Sequence, residues 1–158
     1  MADADSTRPT RSRLLELFDY DREAGCLTPK PKPRINRQGY RFVKVERKSI
    51  PEHHVIWFLE KGRWPKGVID HINGNPGDNR IENLRDVTQR VSVQNQRYAQ
   101  VSNKSTGMLG VSMRKNGKFD ARIQHKGRNL YIGCFDSAED AHAAYVRAKR
   151  ALHEGCTI

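Results

Sequence analysis

The sequence predicts an α+β protein of two small modules, and three observations indicate it. In the N-terminal half, the alternating segment YRFVKVE (40–46) is typical of a strand, and the apolar segment PEHHVIWFLEKGRWP (51–65) is typical of a short buried helix. The segment AQVSNKSTG (99–107) is small and polar, as linkers are. The C-terminal half has the pattern of three short antiparallel strands packed on one helix.

The N-terminal elements follow from local patterns. The polar residues 1–10 predict a disordered tail. The segment TRSRLLELFDYD predicts a short helix capped by Thr10 or Ser12, and the proline-rich segment PKPKPRINRQG (29–39) predicts an extended basic loop. Residues 79–98 are compatible with helical turns. We expect a first domain over 11–98, a linker over 99–107 and a second domain over 108–158.

The C-terminal elements have clear boundaries. Residues 110–135 contain the turn signals KNGK and HKGR between three strand patterns. Residues 137–155 predict a helix that Ser137 caps and that ends before Gly155. The expected core of this module is formed by the helix's alanines and by Val111, Phe119, Ala121, Ile123, Leu130, Ile132 and Tyr145.

Charge indicates the class of partner. The 158 residues include 29 Lys and Arg against 18 Asp and Glu, a net charge of +11. Such a surface suits a polyanion such as DNA, although a merely solvated basic surface remains the alternative. There is no basic amphipathic helix, no long apolar run and no signal-peptide core, so we expect a soluble, cytoplasmic protein that binds no membrane. Without a heptad repeat we expect a monomer.

The three cysteines lack CxxC spacing, which argues against a disulfide framework and against a thiolate zinc site. Nothing in the sequence indicates a small-molecule cofactor.

The stretch GVIDHINGNPGDNRIENLRDVTQ (67–89) places an aspartate beside a histidine. If a strand ends there and a loop returns to a helix, Asp70 can offer a hard oxygen ligand to Mg²⁺ or Mn²⁺. His71 can accept a proton from water at neutral pH, and Asn83 can fix the ring tautomer or brace the turn. Asp, Asn and Gly are also ordinary turn residues, so a structural role is the alternative.

The outer face of the C-terminal sheet is predicted to be polar. A β-ribbon fits the major groove, where Arg pairs with guanine and Gln or Asn with adenine. A solvated polar face is the alternative. The residues expected there are Arg114, Lys118, Asp120, Arg122, Gln124, Asn129 and Tyr131.

The segment VIDHINGNPGDNRIENLRDVT, preceded by HHVIWFLEKGRWP, resembles the HNH homing endonucleases, members of the His-Me finger (ββα-metal) nucleases, over residues 12–97. The resemblance implies a single divalent metal and cleavage of DNA, often at a nick or on one strand. It makes His71 the general base, Asp70 a metal ligand and Asn83 the residue that orients the histidine-bearing loop.

Further positions follow from the same resemblance. His53 would pack or contact phosphate, and Asn79 and Arg80 would lie near the loop and the phosphate. Ser92 stands where the family has a metal-binding Asn or His, and serine is a poorer ligand. Either Asn95 substitutes after a register shift, or Ser92 binds metal through water, or the metal site is weakened.

The C-terminal segment GVSMRKNGKFDARIQHKGRNLYIGCFDSAEDAHAAYVRAKRALHEG is similar to the APETALA2/ethylene-response-factor DNA-binding domain, also found on phage and mobile HNH endonucleases. The resemblance covers residues 106–155 and implies that the sheet contacts the major groove. Arg114, Arg122, Gln124, Asn129 and Tyr131 fall on matching strand positions. Asp120 and Asn129 differ from the plant pattern, so the target sequence does not transfer.

Together these patterns predict a two-module, metal-dependent DNA endonuclease of phage or mobile-element type, in the host cytoplasm if phage-encoded. The C-terminal module would target it to DNA, because a tethered second contact raises the effective concentration. The alternative is a DNA-binding protein or regulator whose nuclease site is inactive because of Ser92.

Overall fold

A computed structural model describes residues 8–29, 34–99 and 103–158. The chain divides into two compact units between Gln89 and Arg90. This division does not coincide with the predicted linker at 99–107, of which residues 100–102 lie outside the described residues. Most of the predicted tail lies outside them as well. No helix in the described part of the chain is long and apolar enough to cross a membrane.

The first unit begins with a short helix and two small antiparallel sheets. Helix α1 spans Arg11–Leu17, and the Thr10 hydroxyl accepts a hydrogen bond from the Arg13 backbone, as the sequence predicts. Strand β1 (Phe18–Asp21) pairs with β2 (Cys26–Pro29). Strand β4 (Arg41–Val45) lies between β3 (Arg34–Ile35) and β5 (Lys48–Pro51).

The prediction of an extended basic loop over 29–39 is therefore wrong at Pro29 and at Arg34–Ile35. Pro29 ends β2, and Arg34–Ile35 pairs with Phe42 and Arg41 of β4. The prolines remove backbone donors only at their own positions, so the residues that follow the last proline are able to join the sheet edge.

The next elements carry the Asp-His stretch. Helix α2 spans Glu52–Lys61 and ends at Gly62, whose φ of 68° suits glycine. Strand β6 (Val68–His71) pairs antiparallel with β7 (Leu84–Val87), and helix α3 (Gln89–Gln94) follows. A single 3₁₀ turn, Ile81–Asn83, precedes β7.

The prediction of helical turns throughout 79–98 is wrong over β7. Leu84 is buried in the core of the first unit. Its strand, β7, pairs with β6, and each residue of β7 lies opposite a residue that is 13 or more positions earlier in the sequence. That pairing, which local patterns do not reveal, decides the conformation. The core of this unit joins residues from α1, α2 and the sheets: Leu14, Phe18, Leu27, Val43, Val45, Val55, Ile56, Trp57, Leu59, Trp64, Ile69 and Leu84.

The second unit contains the predicted sheet and helix. Strands β8 (Val111–Met113), β9 (Phe119–His125) and β10 (Arg128–Phe135) form an antiparallel sheet with β9 in the centre. Helix α4 (Ala138–Leu152) is capped by the Ser137 hydroxyl, as predicted. The buried core of the sheet and helix consists of Val111, Ala121, Ile123, Ala141 and Tyr145.

Leu130 is the exception among the predicted core residues. It pairs with Ile123 near the β9–β10 turn but is 37% exposed. The three cysteines, Cys26, Cys134 and Cys156, are free thiols.

Candidate active site on the β6–β7 hairpin

The β6–β7 hairpin positions the Asp-His pair. Its register places Asp70 opposite Arg85 and His71 opposite Leu84. The Asp70 carboxylate accepts bonds from Nε and Nη2 of Arg85, each at 2.8 Å. Asp70 is buried, and the adjacent guanidinium offsets the cost of burying its charge.

His71 is buried at the end of β6 and is 4% exposed. Its Nε2 atom lies 2.8 Å from Oδ1 of Asn79. Burial lowers the pKa of His71, while the Asn79 hydrogen bond and the charges of Asp70 and Asp78 partly oppose this. The imidazole is therefore neutral at neutral pH, as a general base must be before it accepts a proton.

Asn79 connects His71 to a buried carboxylate. Its Nδ2 atom donates to Oε2 of Glu52 at 3.1 Å, and neither side chain is exposed. Glu52 Oε1 accepts a bond from the Leu27 backbone at 2.8 Å, and the Arg41 Nε atom lies 2.6 Å from Oε2. Burial raises the pKa of Glu52, and these three partners act in the opposite direction.

We refer to the chain of contacts His71–Asn79–Glu52–Arg41 as the buried relay. It draws on β6, the following loop, α2 and β4.

Asn83 braces the loop between β6 and β7. Its Oδ1 accepts from the Asn73 backbone at 2.9 Å, and its Nδ2 donates to Asn73 Oδ1 and to the Asp78 carbonyl. Its own carbonyl accepts from the Ile72 backbone at 2.8 Å. Of the two roles considered for Asn83, these contacts correspond to bracing, and the side chain that bonds the His71 ring is Asn79.

His53 belongs to an aromatic cluster beside His71. Its ring centroid lies 5.2 Å from that of His71 and 5.7 Å from that of Tyr40. Burial lowers the pKa of His53 to about 3, so the ring is neutral. His53 is buried in α2, and of the two expected roles, packing and phosphate contact, this burial favours packing.

Asn79 and Arg80 have different environments. Asn79 is wholly buried in the relay, where it bonds His71 and Glu52, and this burial disfavours a direct contact between its side chain and DNA. Arg80 is about half exposed and pairs with Asp78 through Nε at 2.8 Å and Nη2 at 2.7 Å. The same pair holds the pKa of Asp78 at about 2.

Ser92 lies in α3 and belongs to the second unit. Its carbonyl accepts from the Asn95 backbone at 2.9 Å. Asn95, the alternative metal ligand, is buried, and its side-chain oxygen accepts from the Thr157 hydroxyl.

The outer face of the second sheet has a carboxylate at its centre. Asp120 is buried between Arg114, whose Nε lies 2.7 Å away, and Arg122, whose Nη2 lies 3.2 Å away. Arg122 lies over the Tyr131 ring at 5.8 Å. Asp120 thus holds both arginines on the face, and both remain substantially exposed.

The other predicted contact residues lie around this centre. Gln124 pairs with Asn129 and Arg122 with Tyr131 across β9 and β10, so all four share one face. Gln124, Asn129 and Tyr131 are exposed, and Lys118 forms an exposed ion pair with Asp136 at 2.9 Å.

Three site residues were missed in the sequence: Glu52, Arg41 and Arg85. A glutamate in the first turn of a helix with the apolar run VIWFL was the available signal for Glu52, because carboxylates are rarely buried without partners. Arg41 and Arg85 carry no local signal, since each acquires its role through pairing with a distant residue.

Residues 52–94 match the family model described as HNH endonuclease. The match begins at the first residue of α2 and ends at the last residue of α3, so it contains the β6–β7 hairpin and the Asn79 loop. Neither the curated proteins nor the solved structures give a match. The family match supports a nuclease that acts on DNA, of a kind that generally uses a divalent metal.

Proposed function

We propose that the protein is a metal-dependent DNA endonuclease in which His71 is the general base and Asp70 the protein's carboxylate ligand to the metal. The observation that carries the proposal is the pairing of a buried neutral histidine with an adjacent buried carboxylate, in the part of the chain that matches the HNH family. His71 would take a proton from the water that attacks the phosphodiester.

Asp70 fits a metal ligand by its chemistry. A carboxylate oxygen suits Mg²⁺ or Mn²⁺, ions that keep several waters and bind phosphate oxygens of the substrate. Among the described residues no group of three or more His, Cys, Asp or Glu side chains could hold a metal, so DNA and water would supply other ligands. When bound, the ion would stabilise negative charge on the phosphate and the leaving oxygen.

Arg85 would position Asp70 in this function. Its bonds to Oδ2 fix the carboxylate's orientation on β6 and neutralise it before any cation binds. Arg85 thus holds Asp70, and Asn79 holds His71. Both of these supporting residues lie outside β6, the strand that carries the two functional side chains.

The second unit would supply DNA affinity through the outer face of its sheet. Arg114 and Arg122 present guanidinium groups there, held by Asp120, beside the exposed amides of Gln124 and Asn129. This arrangement offers donors for both guanine and adenine edges in the major groove.

The test uses supercoiled plasmid, with and without Mg²⁺ or Mn²⁺. The proposal expects nicked or linear products only when a divalent ion is present, and nicked circles would indicate cleavage of one strand. Binding to the plasmid with no products under Mg²⁺, Mn²⁺ and Co²⁺ would contradict it and would favour the alternative, a DNA-binding protein with an inactive nuclease module.

Ser92 gives that alternative a specific test. If serine weakens the metal site, Ser92→Asn should increase the cleavage rate at limiting Mg²⁺, because an amide oxygen is a better ligand than a neutral hydroxyl. Rates are measured across a Mg²⁺ titration for both proteins. Cleavage by the variant alone would assign DNA binding as the activity of the natural sequence, and equal rates would show that serine is tolerated.

Arg122→Ala tests the sheet face. If Arg122 contacts a base, the change should cost about 1–3 kcal/mol of DNA-binding free energy. The measurement is fluorescence anisotropy at fixed salt, because phosphate contacts vary with ionic strength. Arg147→Ala, an exposed position on α4, is the control of equal charge change. Equal losses of DNA affinity in the two variants would indicate that Arg122 lies on a solvated face and contacts no base.

A further inference from the structure

The buried relay constrains which nitrogen of His71 carries the proton. A carboxylate has acceptors only, so the Asn79 atom that faces Glu52 has to be the donor, Nδ2. The amide's other end, Oδ1, therefore faces His71 Nε2 at 2.8 Å. An amide oxygen accepts and never donates, so Nε2 has to carry the hydrogen.

We infer that Glu52 is a positioning residue, which acts through Asn79 to hold His71 in its Nε2-protonated tautomer and leaves Nδ1 as the nitrogen that accepts the proton from water. The inference rests on the proposed function only in naming that proton transfer. The tautomer itself follows from the hydrogen bonds.

Glu52 has the contacts that this role requires. Its Oε1 accepts from the Leu27 N–H and its Oε2 accepts from Asn79 Nδ2, while the Arg41 guanidinium forms an ion pair with Oε2. Both hydrogen-bond donors are N–H groups and Arg41 is a cation. None of the three could accept a carboxyl proton, so the carboxylate acts as the acceptor in both hydrogen bonds. Because Glu52 and Asn79 are wholly buried, water is excluded from exchanging these bonds.

The first measurement is of the tautomer itself. Long-range ¹H–¹⁵N correlation spectra of the whole chain, at about pH 8 where an ordinary imidazole is neutral, distinguish the two tautomers. The expected result is a His71 with a protonated Nε2 and an unprotonated Nδ1. The opposite tautomer would overturn the inference even if the protein cleaves DNA. Failure to cleave DNA with the expected tautomer present would instead overturn the proposed function.

Glu52→Gln tests the cause. The buried Leu27 N–H retains an oxygen acceptor, whereas the Arg41 side chain is 28% exposed and can turn toward solvent, so the new amide NH₂ group takes the Oε2 position. There it faces Asn79 and should turn the Asn79 Oδ1 toward residue 52. Asn79 Nδ2 then faces His71 and donates to Nε2, which moves the proton to Nδ1. The expected kcat falls by about 10²–10⁴-fold, the usual contribution of a general base, with KM within a few-fold.

The matched control is Glu60→Gln. Glu60 lies on the same helix and pairs with Arg22 Nε at 3.2 Å, outside the relay. The Glu60→Gln variant should leave both the His71 tautomer and kcat unchanged. An unchanged tautomer in Glu52→Gln would overturn the inference, whatever its activity.

A double variant separates orientation from folding. When Glu52→Gln is combined with Asn79→Asp, the new amide at position 52 donates to one oxygen of the new carboxylate at position 79. The other carboxylate oxygen accepts from His71 Nε2, so the original tautomer should return. The expected result is recovery of at least about tenfold in kcat over Glu52→Gln alone, within the range that a general base contributes. If Glu52 serves only to stabilise the fold, a second charge-altering change in the interior should lower activity further, and that result would overturn the inference.

Discussion

Replacement of His71 by alanine should abolish DNA cleavage while the affinity for DNA stays within about tenfold of the original protein. Affinity should persist because His71 is buried and contributes little surface to DNA binding. Cleavage should be lost because His71 is the neutral side chain beside Asp70 that would accept the proton. Loss of a general base commonly costs about 10²–10⁴-fold in rate. Plasmid cleavage under single-turnover conditions and anisotropy with the same DNA provide the two readouts.

His71→Gln controls for the cavity and for the lost hydrogen bond. Its amide can donate to Asn79 Oδ1, which keeps the relay satisfied, yet it has no basic nitrogen. Both variants should therefore bind DNA and fail to cut it. A large loss of binding in His71→Ala that His71→Gln restores would assign His71 a structural role, and cleavage by His71→Gln would exclude it as the base.

The second unit was predictable because its signals are local. The turns KNGK and HKGR lie between alternating strand patterns, and Ser137 caps the helix at the expected position. Each of these features depends on residues a few positions apart. Asp120 shows the limit. Its place on the outer face follows from alternation, whereas its burial depends on the side-chain conformations of Arg114, in the β8–β9 turn, and of Arg122, two residues further along β9.

The first unit was less predictable because its decisive contacts are distant in sequence. The local pattern of β7 is compatible with helical turns, and only its pairing with β6 stabilises an extended conformation there. The candidate site shows the same division. Asp70 and His71 are recognisable as a motif, whereas Asn79 bonds a glutamate 27 positions earlier, and no pattern in the DNR segment distinguishes a buried amide from one that contacts phosphate.

Gly25→Ala should destabilise the first unit by about 3 kcal/mol or more and reduce cleavage with it. Gly25 has a φ of 60°, and a Cβ there would lie 2.2 Å from the Arg80 nitrogen and 2.6 Å from the Asn79 carbonyl carbon. A left-handed conformation costs a non-glycine residue about 1–2 kcal/mol, and overpacking commonly adds about 1–3 kcal/mol. The clash is with backbone, so relief requires that the backbone of the Gly25 turn or of the Asn79–Arg80 segment shifts, which would disturb the support of the relay.

Gly62→Ala separates these two contributions. Gly62 has a similar φ of 68°, but a Cβ there would meet no atom within 4 Å, so this variant should show only the conformational cost. Urea unfolding followed by tryptophan fluorescence measures both, because Trp57 and Trp64 lie in the first unit. We expect Gly62→Ala to retain full cleavage activity although its free energy of unfolding is modestly lower. Equal losses in the two variants would mean that the close approach of Gly25 to the Asn79–Arg80 backbone does not position the relay.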